Sequence, residues 1–225
     1  MKRIIKTNNK AIRNGIICII ALVAILIFAM ALSYGDINLA EKLDGTWMGS
    51  ITINYDDQSK EEQDVYQKFD YSDDTVDNDG SMFEVRECNV KNLDLDDMTM
   101  DVKYHSYING TWEVLDGDLS IKYDVSTLKV KVNVDDVKLH YNNALAGLAA
   151  LVGMLGGYTP YDIVNDLQKE LYKDFFHQYQ EGVDDDGRIT YSNLKVEDNN
   201  ASYDASDVGT IHLVRTNVNI NNILK

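Results

Sequence analysis

Cysteine and proline are nearly absent from this sequence, which has two cysteines and one proline among 225 residues. One of the cysteines, Cys18, lies within the longest apolar run, so the rest of the chain contains only Cys88. A domain with a single cysteine cannot form an internal disulfide bond. The sequence therefore predicts a domain that is held together by its hydrophobic core.

Basic residues are also scarce, 21 against 37 acidic residues, and they are unevenly placed. Five of them precede residue 15, where there is no acid, so residues 36–225 carry 16 basic against 37 acidic residues, a formal charge of −21. Nucleic acid and anionic lipid surfaces would repel such a domain. This balance argues against nucleic acid as a partner and leaves cations, basic proteins and neutral ligands.

The motifs of the common catalytic and metal sites are missing. There is no His-Glu-x-x-His, no Gly-x-Ser-x-Gly and no phosphate-binding glycine loop. The run 184–187 resembles part of a calcium loop, but Gly182 and Asn193 stand where an EF-hand needs acids. We expect a turn there, and we predict no catalytic residue, no metal and no cofactor. The four histidines show no ligand spacing: His105, His140, His177 and His212.

One long hydrophobic run is present, from Ile16 to Leu32, within an uncharged stretch that reaches Gly35. About 20 apolar residues span a bilayer, and the basic residues before such a span stay in the cytoplasm. A cleaved signal peptide is the alternative, because 29–31 and 31–33 both offer a small-x-small exit. We predict a cytoplasmic leader at 1–15, a signal anchor at 16–35 in the cell membrane, and an exported periplasmic or extracellular domain at 36–225.

Hydrophobic residues alternate with polar ones along much of this domain. The alternation is clearest in 46–55, 98–105, 119–125 and 128–134, and it is typical of half-buried antiparallel strands. The pairs Asp79-Gly80, Asn109-Gly110 and Asp116-Gly117 are common hairpin turns. Short strands at this spacing predict a mainly β fold, an antiparallel meander that forms a sandwich or a barrel.

A different pattern covers residues 142–181. The first part, Asn142 to Gly157, is rich in Ala, Leu and Gly, and Thr159-Pro160-Tyr161-Asp162 has the capping residue, proline and acid of a helix start. Apolar residues then recur every four positions: Ile163, Leu167, Leu171, Phe175 and Tyr179. We expect a two-helix insertion that either packs on the sheet or forms a lid or membrane-resting flap.

Several of these segments resemble lipocalins. Gly45-Thr46-Trp47, which opens the first predicted strand after a short helical lead-in, resembles the Gly-x-Trp signature of that family. Arg215 lies on the last predicted strand, and 79–83 and 110–121 are similar to bacterial lipocalin-like domains. The resemblance implies a calycin barrel in which Arg215 packs across Trp47 beside Gly45 and closes one end. The insertion departs from the family, because a lipocalin's helix follows its last strands.

Two functions from different classes remain open at this point. A noncatalytic binding barrel in a bacterial envelope would hold a small apolar ligand in a cavity lined by Phe69, Met100, Tyr104, Trp112 and Tyr123. The same residues would serve equally as a packed core. The alternative is an envelope protein–protein interaction module that uses the acidic surface or the helical insertion. A cavity of roughly 300 Å³ or more favours the binding barrel.

Overall fold

The computed structural model describes residues 34–54, 59–72, 78–94, 98–141, 147, 159–206 and 209–223. The described chain begins in a helix at 34–43, which we call α1, and its strands and second helix follow in order. They are β1 (Gly45–Asn54), β2 (Lys60–Tyr71), β3 (Asp79–Asp94), β4 (Met98–Leu115), β5 (Asp118–Tyr141), α2 (Pro160–Gln178), β6 (Ile189–Glu197), β7 (Asn200–Ala205) and β8 (Gly209–Arg215). A short 3₁₀ turn at Ile220–Asn222 packs after the last strand.

Each strand pairs antiparallel with the next, and β8 pairs with β1, so the eight strands form a closed barrel in sequence order. The predicted mainly β fold and antiparallel meander are therefore confirmed. Because successive side chains on a strand point to opposite faces, one residue in two faces the barrel interior.

The turn predictions have mixed outcomes. Asp116 and Gly117 form the β4–β5 turn with φ angles of 54° and 82°, as a two-residue type I′ turn requires. The predictions at Asp79-Gly80 and Asn109-Gly110 are wrong, because the first pair lies within β3 and the second within β4. Gly110 instead allows β4 and β5 to approach each other closely, because a Cβ at this position would lie 2.6 Å from the backbone oxygen of Lys122 on β5.

The barrel closes mainly at one end. β1 and β8 are joined at Trp47↔Arg215 and Met48↔Val214, and β5 meets β6 only between 119–121 and 189–191. These pairs lie at the start of β1 and of β5, so the unit β6–β8 is fastened to the long five-stranded sheet at a single end. We call this the sealed end and the opposite end the open end.

Helix α1 covers the sealed end. Ala40 and Leu43 are completely buried in the core. The buried Asp36 carboxylate accepts hydrogen bonds from the backbone nitrogens of Asp116, at 3.0 Å, and Gly117, at 2.9 Å. The side chain therefore ties the helix to the β4–β5 turn.

Helix α2 lies against β5, where that strand has passed its pairing with β6. Its N-terminus is a capping box, as the sequence predicts: Thr159 accepts from the backbone of Asp162, whose carboxylate accepts from the backbone of Thr159. The side chain of Gln168 accepts a hydrogen bond from the Val132 nitrogen of β5 at 3.3 Å. The helix thus packs into the barrel wall.

Two predicted segments lie largely outside the described residues. They are the signal anchor at 16–35, apart from its last two residues, and the first part of the insertion at 142–158, apart from residue 147. Among the helices within the described ranges, none has the length and hydrophobicity needed to cross a membrane.

Candidate functional site: the barrel interior

The sealed end is built on a stack of Arg215 over Trp47. The guanidinium carbon lies 4.3 Å from the centroid of the indole ring. Its two terminal nitrogens donate to the backbone oxygens of Asp44 and Lys42, both at 2.6 Å. A Cβ on Gly45, whose φ angle is 121°, would collide with the same guanidinium. Of the three residues expected to close the barrel, Gly45 and Trp47 therefore both lie against the third, Arg215.

The five residues expected to line a cavity are distributed over the interior. Phe69 and Trp112 are completely buried near the sealed end, edge to face with ring centroids 5.5 Å apart. Met100 is buried in the core. Tyr123 packs on Tyr179, and Tyr104 faces a cavity toward the open end.

A buried carboxylate, that of Glu84, lies inside the barrel, and its side chain is 1% exposed. One carboxylate oxygen, Oε1, accepts from the hydroxyl of Tyr179 and from Nε of Arg86, both at 2.7 Å. The other, Oε2, accepts from Nε2 of Gln67 at 2.8 Å and from the hydroxyl of Tyr123 at 3.2 Å. Each oxygen thus has two donors.

Strand register brings these groups together. Gln67 on β2 lies opposite Glu84 on β3, and Val65 lies opposite Arg86, so all four face inward. Tyr179 comes from the end of α2, ninety-five residues after Glu84. The insertion therefore completes a polar cluster that the strands begin, and we call Gln67, Glu84, Arg86, Tyr123 and Tyr179 the Glu84 cluster.

The cluster holds a stable ion pair. Burial raises the pKa of Glu84, but the Arg86 charge and the hydrogen bonds from Gln67 and Tyr179 outweigh it, so the pKa lies below its ordinary value. Burial lowers the pKa of Arg86, and the neighbouring Glu84 charge more than reverses this effect. Burial also raises the pKa of Tyr123 and of Tyr179. At neutral pH the carboxylate is ionised, the guanidinium is charged and the two phenols are protonated.

A cleft of about 780 Å³ opens beside the cluster, between β1 and β8 beyond their two-pair seam. Glu84 and Arg86 lie in its floor, Ile51 and Ile53 lie in one wall, and Tyr203 lies opposite them. We call this cleft the Arg86 chamber. It combines apolar walls with a polar floor.

A second cavity of about 530 Å³ lies toward the open end. It shares Ile53, Gln63 and Gln178 with the Arg86 chamber, so the two cavities adjoin. Phe175 of α2 lines it, and we call it the Phe175 chamber. Together the two chambers give the interior an elongated space.

The Phe175 chamber has a polar pair of its own. Oε1 of Glu61 accepts from the hydroxyl of Tyr104 at 2.7 Å and from Nε2 of Gln63 at 2.9 Å. Cys88 is buried nearby, and burial raises the pKa of its thiol to about 12. A thiol with such a pKa is almost fully protonated at neutral pH and is therefore a poor nucleophile.

Glu84 and Arg86 are not among the site residues predicted from the sequence. The inward positions of β2 include Glu61, Gln63 and Gln67, and their composition is that of a solvent face. A usable signal was present, because the outward positions of the same strand are more highly charged. Two polar faces on one strand of a barrel indicate that one of them lines a polar interior.

Compared with models of protein families and with curated protein sequences, the chain matches none.

Proposed function

We propose that this protein is a noncatalytic binding protein that holds a small, largely apolar molecule inside its barrel. The observation that supports this proposal is the pair of adjoining chambers, of about 780 and 530 Å³. Both exceed the roughly 300 Å³ at which small-molecule sites begin. Their apolar walls suit the body of a ligand, and the Glu84 cluster offers polar contacts at one end.

The state of the polar groups supports binding without catalysis. Glu84 is surrounded by four donors and has a lowered pKa, so it is a weak base. The phenols of Tyr123 and Tyr179 have raised pKa values and remain protonated at neutral pH. A general acid or base works best with a pKa near the operating pH.

The packing of α2 bears on the alternative, a protein–protein interaction module that uses the insertion. Val164, Phe175 and Tyr179 of this segment are buried in the barrel core. The described apolar face of the insertion is thus occupied by the barrel itself, which favours the binding barrel.

The location and fold family belong to the same proposal. The apolar run from Ile16 to Leu32, before which every charged residue is basic, supports a single-pass anchor with the barrel on the outer side of the cell membrane. The stack of Arg215 on Trp47 beside Gly45 supports a lipocalin-like barrel. We expect a reporter fused after residue 225 to be located outside the cytoplasm. A reporter confined to the cytoplasm would exclude this topology.

The binding proposal is tested with the full chain, extracted from the membranes of its native host and examined by native mass spectrometry. We expect one small molecule per chain, removable by denaturation and identifiable after extraction. Ala205 also lines the Arg86 chamber, so Ala205→Trp places an indole in it and should abolish the added mass. Lys195 is exposed on β6, so Lys195→Trp is the matched control and should retain the added mass. An empty wild-type chain, or a ligand retained by Ala205→Trp, contradicts the proposal.

A further inference from the structure

In the Arg86 chamber, some hydrogen-bond donors of the Arg86 side chain are not used within the described residues. Both oxygens of Glu84 already accept two hydrogen bonds each, so this carboxylate has little capacity left for a ligand. A guanidinium has five N–H donors, and within the described ranges the Arg86 side chain makes one hydrogen bond, from Nε to Glu84. A ligand in this chamber therefore meets unused donors and must itself supply the acceptor.

The unused donors are accessible from the cleft. The Arg86 side chain is 14% exposed and lies in the floor of the chamber. The rings of Tyr179 and Phe175 lie near its guanidinium, with centroids 5.4 and 5.8 Å from the guanidinium carbon. Aromatic contacts and the Glu84 bond fix the orientation of the guanidinium, so its terminal nitrogens are preorganised for an acceptor.

Charge decides which kind of acceptor fits. Glu84 and Arg86 already neutralise each other in the floor of the cleft. An anionic head group would leave one uncompensated negative charge in the interior of a domain that carries a formal −21. Burying an unpaired charge is unfavourable, whereas an uncharged carbonyl oxygen accepts the same hydrogen bonds without adding charge.

The walls suit an apolar body attached to such a head group. Ile51, Ile53 and Leu213 line the chamber, and the ring of Tyr191 packs on Tyr203 with centroids 4.8 Å apart. The hydroxyl of Tyr203 donates to Oε1 of Gln67 at 3.2 Å, which leaves its ring toward the cleft. An acyl chain or a small ring can lie along this surface.

We infer that the Arg86 chamber binds an uncharged amphipathic molecule, an ester or amide, whose carbonyl oxygen accepts hydrogen bonds from the terminal nitrogens of Arg86. This inference rests on the proposed binding function and names the chemical class of its ligand. Arg86 supplies the head-group contact, Glu84 holds the guanidinium in place, and the isoleucine wall receives the apolar body.

The test is isothermal titration calorimetry of the full chain in a nonionic detergent, corrected by titration into detergent alone. Three probes share a six-carbon chain and differ in the head group: N,N-dimethylhexanamide is an uncharged acceptor, hexanoate an anionic acceptor, and hexyltrimethylammonium a cation without an acceptor. At neutral pH we expect the amide to bind at least about tenfold more tightly than the other two, in line with hydrogen bonds to a charged donor. This comparison needs only the wild-type protein.

The variant Arg86→Lys retains the positive charge beside Glu84 and removes the terminal guanidinium nitrogens. It should weaken amide binding by about tenfold and leave the cation's affinity unchanged. Arg188→Lys makes the same change at an arginine that pairs with Glu113, and it should alter none of the affinities. Near-ultraviolet circular dichroism checks that each variant keeps the native packing.

The outcomes separate the two proposals. Hexanoate binding as tightly as the amide, or Arg86→Lys binding the amide like wild type, overturns the head-group inference and leaves cavity binding standing. Failure of all three probes to bind wild type contradicts binding in the chamber and removes the head-group inference with it.

Discussion

The hydroxyl of Tyr179 donates a hydrogen bond to Oε1 of Glu84 across 2.7 Å, and it thereby joins the end of α2 to the centre of β3. The contact makes the insertion part of the barrel interior. It also gives α2 a polar anchor in addition to its buried apolar face.

Tyr179→Phe removes this donor and keeps the ring. We expect the free energy of unfolding to fall by about 1–3 kcal/mol, because a buried charged acceptor loses one of its partners. Tyr172→Phe is the matched control on the same helix, since Tyr172 is exposed, and it should change stability by less than about 0.5 kcal/mol. Urea unfolding, followed by tryptophan fluorescence, measures both; equal effects would place the Tyr179 hydroxyl outside the cluster.

Trp47→Ala tests the sealed end. The indole is completely buried, carries the Arg215 guanidinium and donates through Nε1 to the oxygen of Leu43 at 2.6 Å. Truncation of a large core aromatic costs about 3–5 kcal/mol, and we expect a loss in this range in chemical denaturation. Leu115→Ala, at a side chain that is 56% exposed, is the control for truncation on the surface. A loss below about 1 kcal/mol at Trp47 is incompatible with its burial.

Comparison of Gly45→Ala with Gly182→Ala separates the effect of backbone strain from the effect of a collision with Arg215. Gly45 has a φ angle of 121°, and an added Cβ would meet the Arg215 guanidinium; Gly182 has a φ angle of 71°, and a Cβ there would meet nothing within 4 Å. Both alanines should be strained, by about 1–3 kcal/mol. We expect Gly45→Ala to lower the thermal midpoint further than Gly182→Ala. Identical midpoints would mean that Arg215 moves away without cost.

Glu84→Gln tests the electrostatics of the cluster. The folded-state pKa of Glu84 lies below the ordinary value of 4.5, so its contribution to stability is complete above that value. The contribution disappears as the pH falls through the lower folded-state pKa, because the unfolded state then binds the proton more readily. At neutral pH, Glu84→Gln leaves Arg86 without its charged partner and should cost about 3–5 kcal/mol.

The two proteins should therefore converge in stability on acidification from neutral pH to below 4.5. Unfolding by urea at a series of pH values measures the gap. A gap that is constant over the whole series, or that widens in acid, would show that Glu84 is not ionised in the folded barrel.

The alternation of hydrophobic residues predicted the meander because one face of most strands is apolar and buried. The same rule fails on β3, where Glu84 and Arg86 point inward and Val85 points outward. Val85 is nevertheless completely buried, because Ile220 of the 3₁₀ turn and Tyr66 cover it on the outside of the barrel. The outer cover depends on residues far apart in sequence, which local alternation cannot reveal.

The residues that close the barrel could be predicted from the sequence and the interior cluster could not, for a similar reason. Gly45 and Trp47 lie two positions apart on one strand and form a short motif, so they could be identified from sequence, and Arg215 follows from its place on the last strand. The Glu84 cluster draws on β2, β3, β5 and the end of α2, and only the register of the folded barrel brings these elements together.

The contacts that close the sealed end affect the folding of the chain. Arg215 bonds to Asp44, 171 residues earlier, so ring closure is among the most non-local contacts that the barrel makes. Contacts of high sequence separation form slowly, because the chain entropy is lost before the contact compensates for it. During synthesis from the N-terminus, the first seven strands emerge before β8 exists. In that interval the edge of β1 lacks its partner strand. An unpaired edge can pair with other chains, so β1 is exposed to aggregation until β8 pairs with it and Arg215 packs on Trp47.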